Sequence, residues 1–123
     1  MFLSGKLYYD LVKERLARGL DEPVAFVRIE ELSPFPFYEL EEVVLDLKGA
    51  KEFLWVQEEP RNQGAWGHVR ERIGRVLKGV VGRIGEEELG YRGRKESAVP
   101  APGVGRLYVV QQKEVVDSVF EGL

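Results

Sequence analysis

Paired carboxylates, an arginine and two side-chain amides crowd into one short stretch, Trp55 to Trp66, which reads WVQEEPRNQGAW. Glu58 and Glu59 close an apolar run, Phe53 to Val56, that has the composition of a buried strand. Pro60 has no N–H to give to a sheet and is expected to stop the strand. Arg61, Asn62, Gln63 and Gly64 then make a polar turn, and Trp66 opens a second apolar pattern at helical spacing. A strand, a polar elbow and a helix start are what open α/β sheets place at their working edge.

The chemistry available to this stretch is limited. Adjacent residues on a strand point to opposite faces, so at most one of Glu58 and Glu59 faces a cleft, and they do not form a facing acid and base pair. Either one carboxylate pairs with Arg61 or a helix N-terminus while the other is solvated, or one meets a partner subunit or a substrate channel. Asn62 or Gln63 either caps the following helix or helps its free N–H groups to hold an anion. Arg61 suits a planar, bidentate grip on carboxylate or phosphate. His68 titrates in the range of a general base, yet no Ser or Cys nucleophile motif stands beside it, which leaves a surface or interface role. Trp55 and Trp66 read as core or interface anchors. Ser4-Gly5-Lys6 lacks the glycine spacing of a phosphate loop, and no dinucleotide fingerprint is present.

Elements must position these groups, and 123 residues are enough for one domain with its own core, spanning 1–123. The chain is 44% hydrophobic and 32% charged, an ordinary globular balance. Eighteen Lys and Arg against 21 Asp and Glu give a net charge of -3, which argues against a nucleic-acid surface. No apolar run approaches bilayer length, no signal peptide is evident, and the cytoplasm is the expected compartment. Zero cysteines exclude disulfides and thiolate chemistry, and the single histidine excludes a multi-histidine metal centre.

Taken in order, Met1 to Ser4 reads as a short strand. Tyr8, Leu11, Val12, Leu16 and Ala17 recur on one helical face, with Gly19 as the stop. Val24 to Ile29 is apolar on both faces and reads as a central parallel strand. Pro34 and Pro36 force an extended or turning segment between Phe35 and Phe37. Leu40, Val43, Val44 and Leu47 define a second helix closed near Gly49, and Trp66, Val69, Ile73, Val76 and Leu77 a third, ended by Gly79. Beyond it, VVGRI from Val80 reads as a strand, GEEELG as a charged turn, Tyr91 to Arg94 as another strand, and Ser97 to Gly105 as an ordered loop. Val115, Val116, Val119 and Phe120 mark a last helix. Alternating strands and helices predict an α/β fold in three layers, with a mostly parallel sheet of about five strands and helices on both faces.

Four of these segments, in order, resemble one family. FLSGKLYYDL at Phe2 to Leu11, VRIEELSPFPFYEL at Val27 to Leu40, WVQEEPRNQGAW, and GRKESAVPAPG at Gly93 to Gly103 are similar to the C-terminal domain of the E1 component of 2-oxoglutarate dehydrogenase. Where that family carries a histidine and a Glu-Gln pair after the GR-x-x-SA segment, this chain has Tyr108 and Gln111 with Gln112. The resemblance implies a transketolase C-terminal-like domain that contributes to a homodimer and borders an active-site entrance. It implies thiamine diphosphate and magnesium held by other E1 domains, with no cofactor-binding, catalytic or metal residue in this chain. Decarboxylation of 2-oxoglutarate and succinyl transfer to the lipoyl E2 then belong to the parent complex, and the chain alone is expected to be inactive. Glu58, Glu59, Arg61, Asn62, Gln63, Trp66, His68 and Arg94 are the candidate binding or interface residues. The alternative is a free-standing module that holds an acyl-CoA or phosphorylated acidic ligand on Arg61 to Gly64 and the basic cluster Arg92 to Lys95.

Overall fold

The computed structural model describes residues 1–82, 89–99 and 103–123. Strands and helices alternate as β1 (Phe2–Leu3), α1 (Leu7–Ala17), β2 (Val27–Arg28), α2 (Phe37–Asp46), β3 (Leu54–Pro60), α3 (Trp66–Val81), β4 (Gly90–Arg94) and α4 (Gly105–Val119). Every strand pairing is parallel, in the order β2-β1-β3-β4. The α/β class and the parallel sheet are as expected, while the sheet has four strands among the described residues in place of about five.

Strand alternation divides the interior into two cores and so makes three layers. Phe2 and Trp55 point to one side, where they meet Leu40 and Val44 of α2 and Val69 and Ile73 of α3. Leu3 and Val56 point to the other, against Leu7 and Leu11 of α1 and Val115 and Val119 of α4. Both faces of β1 are fully buried, as a central parallel strand requires. The central place therefore belongs to β1, although it is only two residues long. The run Val24 to Ile29, expected in the centre, supplies the edge strand β2, and Arg28 there is exposed. An edge strand needs only one buried neighbour, and the run's burial is confined to Val24 and Ile29 at its ends.

The helices follow apolar periodicity unevenly. All five residues of the α3 stripe are buried. The helix runs through Gly79 and stops at Gly82, whose backbone is left-handed at φ 80°, a conformation glycine adopts without strain. Val80 and Val81 thus continue the helix and do not begin a strand, because both still pack against the α2–α3 core. Of the α1 stripe only Leu11 is buried, joined by Leu7, and Leu16 is 60% exposed. Tyr91 to Arg94 form β4 as expected, whereas most of GEEELG lies outside the described residues. Helix α4 begins already at Gly105, earlier than its apolar pattern indicates.

This unevenness gives a direct comparison. Ile73→Ala is expected to lower stability by about 2–5 kcal/mol, whereas Leu16→Ala, periodic in sequence but exposed, shifts it by less than about 0.5 kcal/mol. Urea unfolding followed by tryptophan fluorescence measures both, and similar losses at the two sites would contradict the layer assignment.

Candidate functional site

Gln57 organises the elbow, and no motif announces it. Its side chain is 3% exposed and sits where β3 turns into α3. Oε1 accepts from the Trp55 indole N–H at 2.9 Å and from the Trp66 backbone N–H at 3.0 Å. Nε2 donates to the backbone carbonyls of Glu59, Pro60 and Gln63, at 3.1, 2.9 and 2.8 Å. Donors lie only on one side of the amide and acceptors only on the other, so its orientation is set by its partners. The first helical N–H of α3 is thereby capped from inside the sheet. Neither Asn62 nor Gln63 caps the helix, whose N-cap residue is Ala65 with no side-chain cap bond.

Asn62 and Gln63 instead hold the chain that follows β4. Asn62 accepts from the Ser97 N–H at 3.0 Å and donates to the Ser97 carbonyl at 2.8 Å, while Gln63 Nε2 donates to that carbonyl at 3.0 Å. Arg61 lies over the rings of Trp66 and Tyr91, 5.9 and 5.5 Å from their centroids, and its backbone N–H reaches the Arg94 carbonyl at 3.1 Å. Pro60 ends β3 as expected: it is the last strand residue, buried and paired with Arg94. Gly64, at φ 64°, lets the turn close: a Cβ there would stand 2.9 Å from Glu59 Cβ and 3.1 Å from Gln57 Nε2.

The carboxylates keep strand alternation, Glu58 turning to Gln112 of α4 and Glu59 to Gly64 on the α3 side. The register of β3 against β4 is irregular between Val56 and Pro60, and both residues border one crevice of about 510 Å³ with Ser4, Gly5, Leu32 and His68. The crevice lies at the carboxyl ends of β1 and β3. From β1 the chain passes to β2 on one side, and from β3 to β4 on the other, so this is the topological switch point of the sheet. Glu58 accepts from Gln112 Nε2 at 2.9 Å, while Glu59 is exposed. His68 Nε2 lies 2.7 Å from the Leu32 carbonyl; that acceptor requires the proton on Nε2, which makes Nδ1 the acceptor of the neutral ring. The ring packs edge-on to Phe35, 6.4 Å between centroids, and so binds the proline-rich segment to α3. The exposed Glu59 carboxylate beside the His68 ring gives the crevice hydrogen-bond acceptors that suit hydroxyl or cationic groups.

Arg94 belongs to the opposite face. It is 8% exposed, donates from Nη2 to Gln112 Oε1 at 3.0 Å and lies 5.1 Å from the Tyr108 ring centroid. Gln112 thus bridges Arg94 to Glu58, tying α4 to β4 and β3. The structure therefore groups the predicted residues in three sets. Glu58, Glu59 and His68 line the crevice; Arg61 stacks on Trp66 while Asn62 and Gln63 hold Ser97; Arg94 anchors α4. Sequence reasoning passes over Gln57, whose one signal is a polar residue in the midst of an apolar strand between two tryptophans.

The family described as 2-oxoglutarate dehydrogenase C-terminal matches residues 1–120, and the chain belongs to that family. The 2-oxoglutarate dehydrogenase E1 component of Coxiella burnetii is 40% identical over 119 residues, 96% of this chain and 12% of the relative. That of Azotobacter vinelandii is 42% identical over 117 residues, 95% of this chain and 12% of the relative. A probable 2-oxoadipate dehydrogenase complex component E1 homolog of Caenorhabditis elegans is 41% identical over 120 residues, 98% of this chain and 12% of the relative. The chain therefore spans about an eighth of the length of these relatives. No helix among the described residues is long and apolar enough to cross a membrane.

Two measurements test the elbow. Gln57→Glu turns an acceptor toward three carbonyls and is expected to cost about 3 kcal/mol or more. Gln57→Leu fills the same space and still destabilises, by leaving the Trp55 and Trp66 donors unpaired; a neutral Gln57→Leu would show that the amide only fills volume. The second concerns Tyr91, whose hydroxyl donates to the Glu59 and Arg94 carbonyls at 3.2 and 3.1 Å. Burial pushes its phenol up to about 12, against the lowering pull of Gln57 and the Arg61 charge. A raised folded pKa means that the stabilisation is complete below the free value of about 10 and is lost as pH climbs through the folded value. In a phenolate absorbance titration one tyrosine is expected to ionise after the others, and Tyr91→Phe removes that late step; a titration unchanged by the substitution would exclude the assignment.

Proposed function

We propose that this chain acts as the C-terminal body of a 2-oxoglutarate dehydrogenase-type E1 component, contributing to its dimer and to the margin of its active site, with no catalysis of its own. The observation that carries this reading is the whole-length family match together with relatives that extend far beyond it. Decarboxylation of the 2-oxo acid and transfer of the acyl group to the lipoyl arm of E2 fall to the assembled enzyme, in the cytoplasm of the cell. Relatives named for 2-oxoglutarate and for 2-oxoadipate match about equally well, so the C-terminal body serves substrates of different chain length.

Thiamine diphosphate and magnesium, which the resemblance implies for the parent enzyme, do not fit the described residues of this chain. Among the described residues no three His, Cys, Asp or Glu side chains are grouped to hold a metal ion. The Trp66 N–H and the Asn62 and Gln63 amides that would meet a diphosphate at the elbow are bonded within the protein. The same commitments weigh against the reading as a free-standing module for an acyl-CoA or phosphorylated ligand. Arg61 is stacked on aromatic rings, Arg92 approaches Glu52 at 3.9 Å, and Arg94 is buried against α4.

A chimera of the Azotobacter vinelandii E1 component, carrying these 123 residues in place of its matching region, is expected to decarboxylate 2-oxoglutarate at a rate within about tenfold of the parent, a barrier change of roughly 1.4 kcal/mol. The isolated chain is expected to show neither turnover nor thermal stabilisation by thiamine diphosphate with magnesium. An inactive but folded chimera, or turnover by the pure chain, would refute the proposal.

A further inference from the structure

We propose that the first two turns of α4 form an apolar collar that inserts into the companion part of a 2-oxoglutarate dehydrogenase-type E1 chain. The inference rests on the reading above and adds the residues that make the contact. Val104, Leu107, Val109 and Val110 are 62%, 46%, 67% and 53% exposed. Consecutive helical residues are about 100° apart, so Val109, Val110 and Leu107 lie within an arc of about 160°, with Arg106 between the two valines. Tyr108, outside that arc, turns toward Arg94. An apolar stripe on a helix of a globular protein faces a core, yet the buried residues of α4, Val115 and Val119, lie in its second half against the sheet. In the first half Tyr108 reaches Arg94, and from Gln112, bonded to Arg94 and Glu58, onward the helix packs on the domain.

The occupant follows from size. Four partly exposed aliphatic residues offer on the order of 400 Å², about half of what each partner contributes to a specific two-body interface. They do not sustain a dimer of this chain alone, but they suit an insertion into a larger body. The relatives supply such a body: the 119 residues matched in the Coxiella burnetii E1 component are 12% of it, so nearly nine-tenths of that chain lies outside the match. The collar carries only Arg106 as a charge in its first turn, which fits an apolar socket with a polar margin.

Hydroxyl-radical footprinting of the 123-residue chain and of the Azotobacter vinelandii chimera, each calibrated with an added reporter peptide, tests the collar. Oxidation at Leu107, Val109 and Val110 is expected to fall about fivefold or more in the chimera, as core positions of an interface lose water. Equal rates in an active chimera would overturn the collar while leaving the functional reading intact. Protection already present in the isolated chain, with a dimer in sedimentation, would assign the collar to a second copy and overturn the companion. An inactive chimera would count against the functional reading. In that case the collar is decided in the intact Azotobacter vinelandii E1 component, with aspartates at the two positions aligned with Val109 and Val110. Loss of assembly there, with V109D/V110D leaving the Tm of the 123-residue chain unchanged, supports the collar; retained assembly overturns it.

Discussion

A single buried amide ties together the end of β3, the elbow and the first turn of α3. Gln57 sits inside β3, receives the indole N–H of Trp55 from its own strand and the first N–H of α3, and returns its protons to the carbonyls of the elbow. Water is excluded there, so each of these groups must find its partner in the protein or carry a desolvation penalty of about 1–3 kcal/mol. The turn from strand to helix is therefore specified by side-chain satisfaction as much as by backbone preference. Gly64 follows from the same constraint: the chain must pass so close to Gln57 and Glu59 that a side chain at that position has no room.

With the elbow fixed, its outer groups acquire their places. Asn62 and Gln63 project toward Ser97 and hold the segment after β4; Arg61 covers the tilted Trp66–Tyr91 pair, 5.2 Å between centroids. Glu58 takes Gln112, and through it α4 and Arg94 are drawn onto the sheet. Tyr108 and Gln112 both attend to Arg94, the one through its ring and the other through its side-chain oxygen, and join β4 to α4.

Much of the architecture was legible because parallel α/β folds write it in periodicity. The stripe Trp66, Val69, Ile73, Val76 and Leu77 maps residue for residue onto a buried face, and the family resemblance anticipated the match to residues 1–120. What periodicity does not carry is position in the sheet. Val24 to Ile29 has the composition of a central strand yet lies at the edge, while the two residues Phe2 and Leu3 occupy the middle. Composition reports that a segment is apolar, not how many neighbours it has. The site was legible as a location but not as a set of roles. Alternation separates Glu58, which turns to α4, from Glu59, which turns to Gly64, but it does not say that both border the same crevice. Gln57 escaped notice because a lone polar residue in a strand has no pattern; its partners are defined only once the turn has formed.

Satisfaction within the domain also bears on where the domain meets others. The elbow, with two tryptophans, an arginine and two amides, has the composition of a binding surface, yet its arginine and both amides are already engaged within the domain. A surface whose polar groups are bonded internally has little to gain from a ligand, since each new bond must replace one already made. The switch-point crevice differs, because Glu59 remains exposed and His68 keeps Nδ1 as an acceptor. The first turns of α4 differ in another way, exposing Val104, Leu107, Val109 and Val110 around the single charge of Arg106. In this domain the groups with the richest chemistry are spent on folding. What the first turns of α4 leave exposed is largely aliphatic surface.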